Sequence, residues 1–162
     1  MSTYKGIKGF TVQSLAADTK ATGVAAGVWS SGANLNTARS GQSSAAQSQN
    51  AAILFGGTTG SVSATTESYN GTSWAEVGDL ATARGEASLG RGGTTTSALM
   101  VSGPSTAVES WDGSSWTAGT AVNTQRIQTG VANASNTLAL AFGGEAPGGN
   151  TALTESWNGS AW

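Results

Sequence analysis

Glu67-Ser-Tyr-Asn-Gly-Thr-Ser-Trp74 decides the fold, because the phrase recurs. It returns as Glu109-Ser-Trp-Asp-Gly-Ser-Ser-Trp116 and as Glu155-Ser-Trp-Asn-Gly-Ser-Ala-Trp162. Trp29 marks an earlier, partial copy. The four marker tryptophans are 45, 42 and 46 residues apart. A fixed period of this length identifies one supersecondary unit repeated along the chain.

Outward from the phrase, each unit reads the same way. Asn36-Thr-Ala-Arg39 is echoed by Ala81-Thr-Ala-Arg84 and Asn123-Thr-Gln-Arg126. A small-residue strand follows, such as Gly41 to Ala46 or Gly85 to Leu89. Then comes an apolar strand ending in glycine: Ala52-Ile-Leu-Phe-Gly-Gly57, Leu99-Met-Val-Ser-Gly103 and Leu138-Ala-Leu-Ala-Phe-Gly-Gly144. The middle unit has Ser102-Gly103 in place of Gly-Gly. A Gly/Ser/Thr/Pro loop leads to the strand at Glu67, Glu109 or Glu155. Asn70-Gly71, Asp112-Gly113 and Asn158-Gly159 predict type I′ hairpin turns, whose two central residues both want positive φ. The marker Trp opens a fourth strand. The expected unit is a four-stranded antiparallel meander, over about 29–74, 75–116 and 117–162. No long 3.6-residue period speaks for a helix.

Composition bounds the function. The chain has 162 residues, 24 glycines, 10% charged residues and a net charge of −2. Such low charge does not hold a chain open, and the apolar residues recur in register, so a packed Gly/Ser/Thr/Ala-rich β protein is expected. Cysteine is absent, which excludes a disulfide framework and a thiolate metal site. Histidine is absent too, which excludes the usual Ser or Cys triads and a copper oxidase site. No cofactor and no metal are expected, and the reading is of a protein that is not an enzyme. The seven basic residues do not cluster beyond the N-terminal segment, so no nucleic-acid partner is expected. No stretch has the length of a membrane-spanning helix. The N-terminus lacks the continuous apolar core of a secretory signal. Residues 1–28 stand outside the repeat and read as an arm or anchor with a linker-like stretch from Ala16 to Gly27.

The repeated polar residues have two readings each. Arg39, Arg84 and Arg126 could line a ligand site. The preferred reading is that each braces a junction by bonding backbone carbonyls or a glutamate with its rigid fork of donors. Glu67, Glu109 and Glu155 share their phase and are the natural partners. A hydrolase would need two carboxylates free of such neutralisation. The aromatic pairs Tyr69/Trp74, Trp111/Trp116 and Trp157/Trp162 flank each turn. Packing between sheets is their preferred role, with Trp74, Trp116 and Trp162 as structural markers. Tyr69, Trp111 and Trp157, just before the turn, are expected to be the more exposed and are the candidate sugar-stacking residues. Asn70, Asn133 and Asn158 match a glycosylation acceptor pattern, which turn chemistry explains at two of the three.

The Gly-Gly, the aromatic a dozen residues on, the Trp after it and the Arg opening the next unit resemble the kelch motif. The resemblance covers residues 29–162. It implies an all-β fold of kelch-like β-propeller blades, here three after an extended N-terminal arm. Three-fold β-trefoil or β-prism folds are the alternatives. Three blades are fewer than the about four to eight of an ordinary propeller. An incomplete ring is therefore expected, as part of a longer chain or of a ring built from several chains, since an uncovered blade edge invites aggregation.

The chain, arm included, is also similar to kelch-like virion proteins of marine tailed bacteriophages. The matching phrases are Tyr4-Lys-Gly-Ile-Lys-Gly-Phe10, Glu67 to Trp74, and Val77-Gly-Asp-Leu-Ala-Thr-Ala-Arg84. This similarity implies a non-enzymatic virion structural protein, a fibre or surface appendage on the particle exterior. Residues 1–28 would dock to other virion proteins, the assembly would be a homo-oligomer, and a host-surface glycan or receptor would be the ligand. The alternative is a kelch- or lectin-like protein- or glycan-binding module of a cellular protein.

Overall fold

The computed structural model describes residues 29–86 and 93–162. The arm expected over 1–28, and part of the small-residue strand expected at Gly85 to Leu89, lie outside the described residues. The chain divides into two compact units, Met1–Gly32 and Ala33–Trp162, and every strand named below belongs to the second.

The fold is all-β, with no helix among the described residues. The first sheet is an antiparallel meander of β1 (Ser43–Ser48), β2 (Ala51–Phe55), β3 (Thr66–Tyr69) and β4 (Trp74–Glu76), in that spatial order. The second holds β5 (Ala98–Val101), β6 (Val108–Trp111) and β7 (Trp116–Gly119), again consecutive. The third places β8 (Gly130–Ser135) beside β9 (Leu138–Phe142). Its other neighbour is β12 (Thr154–Trp157). None of these sheets closes into a barrel. The stretch expected as a loop after Gly144 instead forms a small hairpin, β10 (Glu145–Ala146) with β11 (Gly149–Asn150), around Pro147-Gly148. Gly149, at φ 110°, provides the backbone that lets the hairpin turn.

Strand alternation gives each sheet two faces, and the second sheet buries both. Ala45, Ile53 and Phe55 on one face of the first sheet pack with Leu80 against Ala98, Met100 and Trp111 of the second. Leu99, Val101 and Val108 on the other face of the second sheet pack with Val122 against Val131, Ala141 and Trp157 of the third. Each of the larger of these side chains, fully removed from water, stabilises the fold by about 1.5–3 kcal/mol. The core therefore lies between sheets, not inside any one of them.

The same backbone device recurs where each apolar strand ends. Gly56, Ser102 and Gly143 have φ of 67°, 62° and 61°, and the glycines after them have φ of 96°, 115° and 95°. This left-handed pair turns the chain out of the sheet. Ser102 adopts it despite its Cβ, which costs roughly 1–2 kcal/mol. Two bonds offset the strain: its Oγ donates to the Arg126 carbonyl at 2.5 Å, and it accepts the Arg126 amide at 3.1 Å.

Each of the later two arginines joins two sheets. The amide of Gly57 donates to the Arg84 carbonyl at 2.8 Å, and that of Gly103 to the Arg126 carbonyl at 3.0 Å. The arginine side chains reach forward into their own sheets. Two residues after each arginine the chain is again left-handed, at Gly41 (φ 61°), Glu86 (φ 54°) and Gln128 (φ 52°). These three form a backbone relay from sheet to sheet: Gln128 N–H donates to Glu86 at 3.1 Å, and Glu86 N–H to Gly41 at 3.3 Å.

Candidate functional site

The three repeated arginines and glutamates meet pairwise, one pair in each unit. Arg39 Nη2 lies 2.6 Å from Glu67 Oε1, and Arg126 Nη2 lies 2.8 Å from Glu155 Oε1. Arg84 makes the same contact with Glu109. The other guanidinium nitrogen donates to strand-end carbonyls: Thr65 (2.8 Å) and Gly56 (3.3 Å), Ala107 (2.7 Å), or Leu153 (2.8 Å) and Gly143 (3.3 Å). The second carboxylate oxygen takes the amide three residues before the arginine, from Asn36 (2.8 Å), Ala81 (2.7 Å) or Asn123 (2.8 Å). Five of the six side chains are essentially removed from water, and Glu155 keeps 10% exposure.

This arrangement decides the chemistry of these residues. A carboxylate held by a guanidinium and by backbone amides is fixed as a charged acceptor. Both of its oxygens are engaged, one by the guanidinium and one by a backbone amide. The three carboxylates also stand in different sheets. Among the described residues, no cluster of acidic side chains could hold a metal ion. The Thr-Ala-Arg and Thr-Gln-Arg phrases pointed to the arginines. The amide that each carboxylate takes from three residues upstream was missed, because a backbone donor leaves no mark in a side-chain pattern.

The aromatics correct one expectation. Trp111 and Trp157 are buried, at 1% and 7% exposure, and Tyr69 is half-buried. The partial opening expected of residues before the turn therefore fails for both tryptophans. The cause is the preceding sheet, which covers this face in the second and third sheets. Trp111 fills the space against the first sheet, and its indole N–H donates to the Thr95 carbonyl at 2.9 Å. Trp157 does the same against the second sheet, donating to the Asn136 carbonyl at 3.0 Å. The marker rings lie beside them across the hairpin, with centroid separations of 5.1–5.4 Å. Trp116 also meets Phe55 edge-on at 4.7 Å and donates to Thr66 Oγ1 at 3.0 Å, tying the second sheet to the first.

The turns also differ from expectation. Only the glycine of each Asn-Gly or Asp-Gly pair has positive φ. Tyr69 pairs with Trp74 and Trp111 with Trp116, so the loops hold four residues and are not two-residue type I′ turns. The side-chain oxygen explains this. Asn70 Oδ1 accepts from Thr72 and Ser73, Asp112 Oδ1 from Ser114 and Ser115, and Asn158 Oδ1 from Ser160 and Ala161, all at 2.8–3.0 Å. That Asx geometry holds the first residue right-handed. In Asp112 the two backbone amides and the Ser114 hydroxyl lower the carboxyl pKa from 3.8 to about 2.

Two open grooves lie near these elements. One, of about 310 Å³, runs along Ser110, Ala118, Thr120, Asn136 and Ser160 between the second and third sheets. The other, of about 750 Å³, is bounded by Leu35, Asn36, Arg39 and Trp74 beside the first sheet.

No protein-family model matches the chain, and no curated protein does. Among solved structures, that of YjhT is similar over 76% of this chain at a TM-score of 0.57 and 14% sequence identity. The chain spans 43% of the length of that protein. The likeness is one of fold.

Proposed function

We propose that this chain is a non-enzymatic structural protein of a bacteriophage particle, its repeats acting as kelch-like propeller blades in a fibre or surface appendage. One observation carries the reading. All three repeated Arg–Glu pairs are spent on joining strands, so the repeated charged residues are structural. The accessible surface includes turns and loops of Asn, Gly, Ser and Thr, together with exposed Leu138, Leu140 and Phe142. The meander order of the sheets and their face-to-face packing support the blade reading. The phrases shared with kelch-like virion proteins of marine tailed bacteriophages support the particle.

In this reading residues 1–28 anchor the protein to other virion proteins. Host-surface contact, with a glycan as the simplest ligand, would use loop atoms at low affinity multiplied by copy number. Trp111 and Trp157 are covered and Tyr69 is half-buried, so a sugar would be held mainly by loop atoms.

An antibody raised against residues 29–162 tests the proposal. It should label purified phage particles, and mass spectrometry of those particles should return the chain at stoichiometric yield. Recovery only from the soluble fraction of uninfected cells would reject it and favour a cellular binding module.

A further inference from the structure

The third sheet leaves open the face that its two predecessors cover. In the first sheet that face carries Ile53, Phe55 and Thr66, each at most 1% exposed. In the second it carries Leu99, Val101 and Val108, at most 4% exposed. Their counterparts in the third sheet are Leu140, Phe142 and Thr154. Leu140 is 40% and Phe142 43% exposed, Thr154 is open, and Leu138 beside them is 58% exposed. A contiguous apolar strip of this kind marks a contact surface.

The backbone says what the contact is. Gly57 and Gly103 donate to the arginine carbonyl of the next unit, but among the described residues the equivalent Gly144 amide has no such acceptor. The relay through Gly41, Glu86 and Gln128 likewise ends, among the described residues, with the Gln128 carbonyl and the Gly41 amide unused. The missing partners are those a next repeat would bring, and the first unit carries them unengaged. Among the described residues, neither the Arg39 carbonyl nor the Trp74 indole N–H has a partner. Leu80 donates to Ala64 at 3.0 Å, and Asp79 Oδ1 accepts the Thr66 amide at 3.0 Å. Their counterparts Leu35 with Ala152, and Asn34 with Thr154, make neither bond. Thr154 supplies the hydroxyl that Thr66 offers to Trp116, so it fits Trp74. The groove bounded by Leu35, Asn36, Arg39 and Trp74 lies on that same side of the first sheet.

We infer that the open face of the third sheet binds the first sheet of a second copy of this chain, head to tail. Two copies joined this way at both ends place six sheets in a closed ring, within the about four to eight that such rings hold. The first sheet of this same chain carries the complement of each missing partner, which is why a second copy is the occupant. The inference rests on the observed packing between sheets and stands whether or not the protein belongs to a virion.

Sedimentation equilibrium of the purified chain tests it. The expected mass at micromolar concentration is twice the 16.0 kDa of one chain. Phe142→Asp should weaken association by at least about thirtyfold, and Trp74→Ala, on the opposite face, should do the same. The NMR resonance of the Trp111 indole N–H should stay unchanged in both, since neither change touches the packing between the first and second sheets. The chain has no cysteine, so Asn34→Cys and Thr154→Cys can be introduced singly and mixed. A short bis-maleimide should give a covalent dimer from the mixture and none from either variant alone. A wild-type chain that stays at 16.0 kDa overturns the inference. So does a dimer that survives both substitutions, or one that cross-links within a single variant.

Discussion

Glu109 and Glu155 hold the same place in successive sheets but differ in enclosure. Glu109 and its arginine are almost wholly buried, whereas Glu155 retains some exposure. Removing one partner of a buried pair strands the other charge, which costs about 3–5 kcal/mol. Glu109→Ala should therefore lower unfolding stability by that amount, and Glu155→Ala by less, as read from denaturant midpoints at a common m-value. Equal losses would mean that exposure does not govern the cost. Asp112 gives a pH-dependent case. Its folded-state pKa is depressed, so its contribution is fully present above the usual 3.8 and is lost as pH falls through about 2. An NMR titration of the Asp112 carboxyl carbon should show that midpoint, and Asp112→Asn should abolish this part of the acid sensitivity while keeping the loop, as Asn70 and Asn158 do. Gln128 is left-handed where Gly41 stands in the first unit. Gln128→Gly should raise stability by about 1 kcal/mol, less the glycine's own entropy cost. A drop in melting temperature would reject that account.

At the scale of the element, Phe55 and Phe142 test how much a strand owes to its neighbour. Both end an apolar strand before a left-handed pair, but only Phe55 is covered. Phe55→Ala should cost about 3–5 kcal/mol. Phe142→Ala, measured where the chain is monomeric, should cost less, because 43% of that residue is already exposed. Calorimetry on the two variants separates them. These strands were also the legible part of the sequence. The repeated Glu, Trp and Arg phrases located the apolar strands, the glutamate strands and the phase of each ion pair, because those side chains recur at fixed offsets. The four-residue turns were not legible, since Asn-Gly suits both a two-residue turn and an Asx loop, and a side-chain bond decides between them. The burial of Trp111 and Trp157 was missed for another reason. Alternation shows that a strand has two faces, but not that both will be covered; that depends on sheets elsewhere in the chain.

For the whole molecule, stability is a sum over sheets and over the contacts between successive sheets. Each of those contacts uses the same parts: an apolar strip, a tryptophan pair, a glycine amide and an arginine that faces both ways. Inserting a second copy of residues 81–122 after Val122 should therefore give a folded protein with one more sheet. Its thermal midpoint should be equal to or above that of the parent, with near-ultraviolet intensity increased by the added tryptophans. An insertion that aggregates or melts lower would show that the junctions are not interchangeable.

The two-sided arginine also bears on heredity. Because its carbonyl closes the preceding sheet while its guanidinium belongs to the following one, a crossover between any two of these codons stays in phase with the packing. Misaligned recombination at Arg39, Arg84 and Arg126 would change the number of sheets while leaving every internal bond with a partner. A gene built this way can lengthen or shorten the row of sheets in one event, without a broken intermediate for selection to remove.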